Sequence, residues 1–442
     1  MSDFKIYDEI FAAVKDEVRV PLGTSGRLLI RDGMNFRLEQ TEGEFLHRMK
    51  ELSEGLGIED RGWAPLEKAQ KMLFKDKRLF VHLGECDTSR DLLGFTKAGV
   101  GAVWNLPEGR EATAKEVEGT IVTLRSSVSP VEGDCPVWDR FLWDAFAGDQ
   151  ELIRFVEPAL ATSLSGRVGS RSIYVLRGKG GTGKSLLTGL IQAILGEDKS
   201  TGYGDSIDPK VFMGSTGTSE GRSEMTFLRG KRFAAIHEVQ DRKLDVGLLK
   251  RISGGDPMTA RLLYGEVFTY QPQATLWLTT NGSPDLCGDD AMRQRVRVIP
   301  MDHIPEKPDL SLDSKLRKEA GQIFHRLLLL AKTAFDEIKV PEAVERATRD
   351  LFEEAVPLAG WAEEWIRIEE GSEIDGEHLR EMVNMSKVLG PKTPGVKNVL
   401  TQIERVLPGS LKRFNNNANS SGKHRLLNVA WKKSPTPESL LS

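Results

Sequence analysis

Apolar positions along the chain recur with two periods. From Val137 to Leu164 they fall at helical spacing, first Phe141, Leu142 and Ala145, then Leu152, Phe155 and Val156, which predicts a helical unit in which Trp138 and Trp143 pack. Ser172 to Leu176 is too short for a helix and reads as a buried strand. Ser185 to Leu195 then places Leu187, Leu190, Ile191 and Ile194 on one helical face, with Gly196 just past its end. Further short apolar strands at Phe233–Ile236, Thr275–Leu278 and Val296–Ile299 alternate with helical or irregular stretches, the pattern of an α/β fold with a mostly parallel sheet. Helical spacing resumes at Leu316–Glu337 and Pro341–Arg367, where Trp361 and Trp365 stand i and i+4 as core residues. The start of the chain mixes helix-like stretches (Gly43–Leu56, Pro65–Phe74) with strand-like ones (Arg27–Ile30, Leu79–His82).

Pro, Gly and Ser clusters at Ser126–Pro136, Pro300–Pro308 and Gly390–Gly395 mark breaks. They suggest an N-terminal α+β domain over 1–130, a helical unit over 131–168, an α/β core over 169–310, a helical region over 311–370, a further domain over 371–433 and a disordered tail over 434–442. In 371–433, Gly376–Ser386 and Val396–Val406 read as helices. A hairpin follows, with Leu411–Phe414 on one side and Leu427, Val429 and Trp431 alternating on the other, around a turn at Asn415–Gly422. Two helices and a hairpin suit a winged helix.

Composition narrows the class. With 442 residues, 39% hydrophobic and 29% charged, the chain is long enough for several cores and too apolar for general disorder. No apolar run exceeds five residues, as at Leu327–Ala331, far short of the roughly 20 that span a bilayer. No basic segment leads into an apolar stretch at the start, so a cytoplasmic protein without membrane contact is expected. Cys86, Cys135 and Cys287 are too scattered for a disulfide framework or zinc module. The net charge of −4 hides an asymmetry, because Lys387 to Lys433 holds ten Lys/Arg against the single acid Glu404. That basic end favours a polyanionic partner, with Lys397, Arg405, Lys412, Arg413, Lys423 and Arg425 as candidate contacts to DNA phosphates, and a solvated basic face as the alternative.

Between the Ser172–Leu176 strand and the Ser185–Leu195 helix lies Gly178-Lys179-Gly180-Gly181-Thr182-Gly183-Lys184-Ser185, a complete G-x-x-x-x-G-K-[ST] string. Gly178, Gly180, Gly181 and Gly183, with Thr182, let successive backbone N–H groups turn around phosphate oxygens. Lys184 would bridge the β and γ phosphates, and the Ser185 hydroxyl would hold Mg²⁺. These residues predict ATP and Mg²⁺ as cofactors. The Phe233–Ile236 strand ends in His237-Glu238, and Glu238 is placed to hold the metal or polarise an attacking water. Thr259 to Phe268 reads as a hairpin turning near Gly265 with Arg261 and Tyr264 on it. The Leu276–Thr280 strand leads to Asn281, and Arg293 and Arg295 lead into Val296–Pro300.

Taken in order, these blocks resemble superfamily 3 helicases, and within them the phage, plasmid and poxvirus primase-helicase family. There Lys-x-x-x-Gly-Gly-Asp (here Lys250 to Asp256), a strand ending in Asn, and an Arg-rich lead into Ile-Pro recur over about Val137 to Met301. The resemblance implies a P-loop, AAA+-like ATPase core in an oligomeric ring, usually a hexamer, that moves 3′ to 5′ on single-stranded or forked DNA. It also implies roles: Asn281 as the γ-phosphate sensor, Arg295 as the arginine finger with Arg293 second in line, and Arg261 and Tyr264 as pore residues on DNA. Two features depart from the family. His237 stands where a second acid is common and is expected to be structural. The first 170 residues lack an Asp-x-Asp pair for a two-metal polymerising site, so a separate primase or polymerase is expected as partner. An ATP-switched origin-binding factor with little unwinding is the alternative function. A small-molecule kinase is disfavoured by the Asn281 and Arg295 blocks and by the basic end.

Overall fold

The computed structural model describes residues 3–22, 27–39, 44–53, 63–168, 170–212, 225–226, 228–239, 244–261, 267–284, 286, 290–333, 338–355, 358–389, 395–407, 410–413 and 424–432. Cα proximity groups the chain into two units, Met1–Pro284 with Gly288–Thr348, and Arg349–Ser442 with Asp285–Cys287.

Short strands of the first unit form several separate sheets. Its N-terminal strands are β1 (Val18–Pro21), β2 (Leu29–Asp32), β3 (Asn35–Leu38) and β4 (Phe80–Val81), ordered β3-β2-β1-β4. Helices Asp3–Val14, Glu44–Leu52 and Ala64–Leu73 close over them around Ile10, Val14, Phe45 and Leu73, all buried. An antiparallel sheet follows from β5 (Leu92–Lys97), β6 (Val100–Asn105) and β7 (Arg110–Glu111). The main sheet takes β8 (Ile173–Arg177), β9 (Gly204–Ser206), β10 (Phe233–Ile236), β13 (Thr275–Thr280) and β14 (Val296–Pro300), while β11 (Met258–Arg261) and β12 (Val267–Tyr270) form a separate hairpin. The main sheet runs β14-β8-β13-β10-β9 with every neighbouring pair parallel. Parallel strands are covered on both faces, which is why Ile173–Leu176 and Phe233–Ile236 are buried without alternation. Trp277 anchors the middle: its ring stacks on Tyr174 at 4.5 Å and on Phe233 at 5.8 Å, and its Nε1 donates to Ser163 Oγ at 2.9 Å.

The helical unit ahead of this sheet is clamped by buried polar bonds. Trp138, fully buried, donates from Nε1 to Glu157 at 3.0 Å, and Glu157 pairs with Arg326 at 3.0 Å. The Glu319 carboxylate accepts from the Val137 and Trp138 N–H groups at the start of helix Pro136–Ala145, where the helix dipole favours an anion. Trp143 departs from expectation. It lies two residues from Phe141, on the outer face of the helix, is 46% exposed, and rests its ring over Gly148.

Residues 92–124 share their core with the main sheet, because Leu93, Phe95, Trp104, Leu106 and Leu124 pack in the same cluster as Tyr174 and Trp277. Polar bonds reinforce that seam. The buried Arg232 guanidinium donates to the carbonyls of Ser89 (2.5 Å), Arg90 (2.8 Å) and Leu92 (3.1 Å), and the Gly94 N–H donates to Tyr203 Oη at 2.9 Å. Beside it Lys231, also buried, donates to the Gly202 carbonyl at 2.5 Å. Sequence pattern did not reveal β1, β3, β5–β7 or β9, of which β7 and β9 are short and polar.

In the second unit, helices Ala359–Trp365, Gly376–Met385 and Val396–Val406 pack on an antiparallel sheet, β15-β17-β16, of β15 (Ile366–Asp375), β16 (Leu411–Arg413) and β17 (Arg425–Trp431). Trp361 and Trp365 are buried there, as their spacing predicts. The helical stretch expected over Pro341–Arg367 is two helices, Glu342–Ala355 and Ala359–Trp365, and it stops at Trp365: Ile366 turns extended (φ −118°, ψ 141°) and pairs with Trp431. The expected alternation of Leu427, Val429 and Trp431 is corrected at Leu427. A register shift between Ile368 and Glu373, with Asn428 opposite it at φ +59°, buries Leu426 in place of Leu427, while Val429 is buried and Trp431 packs partly buried on the same core. The turn at 415–422 and the tail at 434–442 lie outside the described residues. Among the described residues no helix is long and apolar enough to cross a membrane.

Burial lowers the Lys231 pKa to about 8, against the pull of Asp205. The folded state therefore releases this proton before the unfolded chain does, so stability rises with pH from about 8 to the ordinary lysine range near 10.4. In urea unfolding at pH 7.5 and 10, the wild type should gain about 2 kcal/mol relative to Lys231→Met; equal responses would contradict a charged buried Lys231.

Candidate functional site

The site grows from strand register. In-line pairing sets Arg177 opposite Thr280 and Pro300, and Ile236 opposite Leu278, so β8, β13, β10 and β14 all end at one edge of the sheet. Ligands of parallel α/β sheets bind outside the carboxyl ends of the strands. Here that edge presents the glycine loop after β8, Glu238 after β10, Asn281 after β13 and Asp302 after β14.

The loop is closely constrained. The Gly178 N–H donates to the Thr280 carbonyl at 3.2 Å and the Met301 N–H to the Arg177 carbonyl at 2.7 Å, tying its start to both neighbouring strands. A Cβ on Gly178 would lie 1.8 Å from the Met301 carbonyl oxygen and 3.3 Å from Asp302 Oδ1, so only glycine fits. Gly183, with φ +94°, precedes helix Lys184–Leu195, and its absent Cβ leaves room for the Phe141 ring, 3.0 Å from that position. Lys184 is buried and folds back over the loop: its Nζ donates to the carbonyls of Gly178 (2.7 Å) and Lys179 (2.6 Å) and to Thr182 Oγ1 (3.3 Å). Burial lowers its pKa, and the Asp302 carboxylate opposes that shift. Gly180, Gly181 and Ser185 are exposed, so the loop presents backbone N–H groups and a hydroxyl to an incoming anion.

Glu238 is exposed and holds φ +55°, a left-handed conformation unusual for a side-chain-bearing residue. Its N–H is held by Thr279 Oγ1 at 3.3 Å, and Val239 N–H donates to the Thr279 carbonyl at 3.0 Å. Thr279 and Thr280 are buried beneath it, and Asn281 emerges exposed beside them. His237 is half-buried, its Nδ1 lacks a hydrogen-bond partner, and burial lowers its pKa against the pull of Glu238.

The remaining candidates lie elsewhere. Arg293 and Arg295 sit on helix Asp290–Arg295 before β14, at the opposite, amino edge of the sheet. The length of β14, about 16 Å at the usual rise per residue, separates Arg295 from the loop end. Arg295 donates to the Ala291 carbonyl at 2.9 Å, while its Nε is buried without a partner. Arg261 ends β11, exposed, and Tyr264 lies outside the described residues. In the second unit, Arg425 forms an ion pair with Glu373, so a phosphate there would compete with a carboxylate. The backbone of Lys397 and Arg405 lies in helix Val396–Val406 and that of Lys412 and Arg413 in β16. Their side chains, and Lys423 entirely, lie outside the described residues. Sequence reasoning missed Asp302, Thr279 and Phe141; only Asp302, just beyond a predicted strand of the sheet, had a visible signal.

Comparison with known proteins adds three findings. Residues 176–295, from the end of β8 to the start of β14, match a family of unknown function, DUF5906. A stretch of 155 residues is 31% identical to a helicase-named protein of Acanthamoeba polyphaga mimivirus; the match covers 34% of this chain and 16% of that protein, so the chain spans about a sixth of its relative. The apo structure of the NrS-1 C-terminal region superposes with a TM-score of 0.51 at 13% identity, over 97% of this chain and 99% of that one. An A-form apo structure of the same region gives 0.50 at 13% identity over 97% and 99%. These likenesses show a shared fold.

Backbone strain at the site gives two stability tests. Gly178→Ala should lower the unfolding free energy by about 2 kcal/mol or more, because its methyl group meets backbone. Glu238→Gly should raise it by about 1 kcal/mol by relieving the left-handed conformation. Denaturant titration measures both, and a destabilised Glu238→Gly would show that the strain is illusory.

Proposed function

We propose that this chain is an ATP-driven DNA helicase of a phage or mobile-element replication system. In this reading its α/β core is a P-loop, AAA+-like ATPase of the superfamily 3 kind, working as an oligomeric ring, a homo-hexamer, on single-stranded or forked DNA in the 3′ to 5′ direction. The observation that supports it most is the shared edge where the glycine loop, Glu238 and Asn281 end adjacent parallel strands. The triphosphate enters the loop, and Lys184 exchanges its carbonyl partners for phosphate oxygens. Glu238, held outward by its backbone conformation, orients the attacking water, and Asn281 senses the γ phosphate from the adjoining strand. The helicase-named mimivirus relative points the same way.

The donor set fits Mg²⁺ arriving with nucleotide. Among the described residues no cluster of three or more His, Cys, Asp or Glu could hold a bare ion. An exposed hydroxyl at Ser185 and an exposed carboxylate at Glu238 suit a cation that keeps waters and phosphate oxygens as its other ligands. Bound there, Mg²⁺ would neutralise charge on the transferring phosphoryl oxygens.

Arg295 is the proposed finger, with Arg293 second. Its distance from the loop of its own chain favours action on a neighbouring protomer's nucleotide, where one positive charge is worth about 10³-fold or more in rate. Arg261 and Tyr264 would grip DNA in the pore. The second unit, three helices on a three-stranded antiparallel sheet, would serve as a winged helix whose basic residues meet duplex phosphates. A separate primase or polymerase would supply primers.

Two experiments test this. Forked-duplex unwinding should require ATP and disappear in Glu238→Gln; robust ATPase by the wild type without strand separation would favour an origin-bound switch instead. Mixing Lys184→Ala with Arg295→Ala subunits should restore ATPase above either variant alone, and no rescue at any ratio would remove Arg295 from the composite site.

A further inference from the structure

We propose that the cleft against the outer wall of the glycine loop is a nucleobase slot that selects purines by contact area rather than by hydrogen bonding. The proposal rests on the phosphate-loop reading above and extends it to the other end of the nucleotide. The cleft has a volume of about 500 Å³ and shares Gly181, Thr182 and Gly183 with the loop. On this proposal a nucleotide whose phosphates occupy the loop sets its base against those shared residues. The size is within the range of about 300–1,000 Å³ usual for small-molecule sites.

Its walls are apolar. Val137, Phe141 and Ala145 come from helix Pro136–Ala145, Leu186 from the helix after the loop, and Pro305 and Leu312 from the chain beyond β14. Four of the charged groups that line the cleft are engaged with each other. Arg140 donates to Asp144 at 2.8 Å, Lys315 to Asp309 at 2.6 Å, and Thr182 Oγ1 donates to the Lys179 carbonyl at 3.1 Å. His303 and Lys307 are exposed. The main wall is held in place: Trp138 and Glu157 fix helix Pro136–Ala145 from behind, Glu319 caps its start, and Phe141 bears on Gly183. A slot with apolar walls, in which Arg140, Asp144, Asp309 and Lys315 are held by one another, rewards the larger ring of a purine more than it separates adenine from guanine. A site that hydrogen-bonds one base would reject the other by about a hundredfold or more.

Competition binding with the full-length protein tests this. The probes are ATP, GTP, CTP and inorganic tripolyphosphate, the last reporting the loop alone. The expected order places ATP and GTP within about tenfold of each other, CTP about fivefold weaker or more for its smaller ring, and tripolyphosphate weaker still. Ala145→Leu and Pro305→Trp narrow the slot from two sides. Each should bring the nucleotides toward tripolyphosphate while leaving tripolyphosphate affinity within about twofold of wild type, which also certifies the fold. ATP preferred over GTP by more than tenfold would overturn reading by contact. CTP equal to the purines, or both narrowed variants keeping the purine preference, would overturn the slot while leaving the loop intact. Absence of binding by tripolyphosphate and by every nucleotide would instead remove the phosphate-loop reading, and the slot with it.

Discussion

Parallel pairing of β8 with β13 and β14, and of β13 with β10, is the constraint on which the candidate site depends. The site's residues are spread from Gly178 to Asp302 and become neighbours only because their strands end in register. The pairing is enforced by burial on both faces of the sheet. Trp277, wedged between Tyr174 and Phe233 and bonded to Ser163, ties the central three strands to the helical unit in front of them. Removing packing there would move chemistry several residues away, since strand ends and loop are joined by backbone hydrogen bonds.

Without ligand, the loop satisfies itself. A buried ammonium needs acceptors, and Lys184 finds them in the loop's own carbonyls, so its charge waits within reach of the place where phosphate oxygens would come. In the proposed function that exchange would replace neutral acceptors with charged ones, which strengthens each bond. Asp302 favours the charged form of Lys184 against burial. At Glu238 the economy differs: a left-handed backbone is held by Thr279 and the strand above it, and the side chain faces solvent. Strain of this kind persists only where the surroundings impose it.

Much of this was legible in the sequence. The strands at Phe233–Ile236, Thr275–Thr280 and Val296–Pro300 and the helix after the loop were readable because full burial writes itself as uninterrupted apolar runs and as helical periodicity. The loop was readable because its glycines have no other economical use. Elements with weak patterns were not. β9 is Gly204–Ser206, with hardly an apolar side chain, and β5–β7 contribute to a shared core through a few residues each. The buried Lys231–Arg232 pair stands immediately ahead of the Phe233–Ile236 strand, with nothing local to mark it as buried. Its partners are backbone carbonyls distant in the chain, which no local pattern announces. The bulge opposite Asn428 shifted the alternation at Leu426 and Leu427 and left Val429 and Trp431 on the core side.

The central claim is that Lys184 leaves the carbonyls of Gly178 and Lys179 to hold a triphosphate. Calorimetric titration of wild type and Lys184→Met with a non-hydrolysable ATP analogue and Mg²⁺ measures this directly. The account predicts at least about a hundredfold weaker binding in the variant, the loss of a charge-assisted contact in a buried site, with the thermal stability of the free protein retained. Equal affinity in a folded Lys184→Met would contradict it.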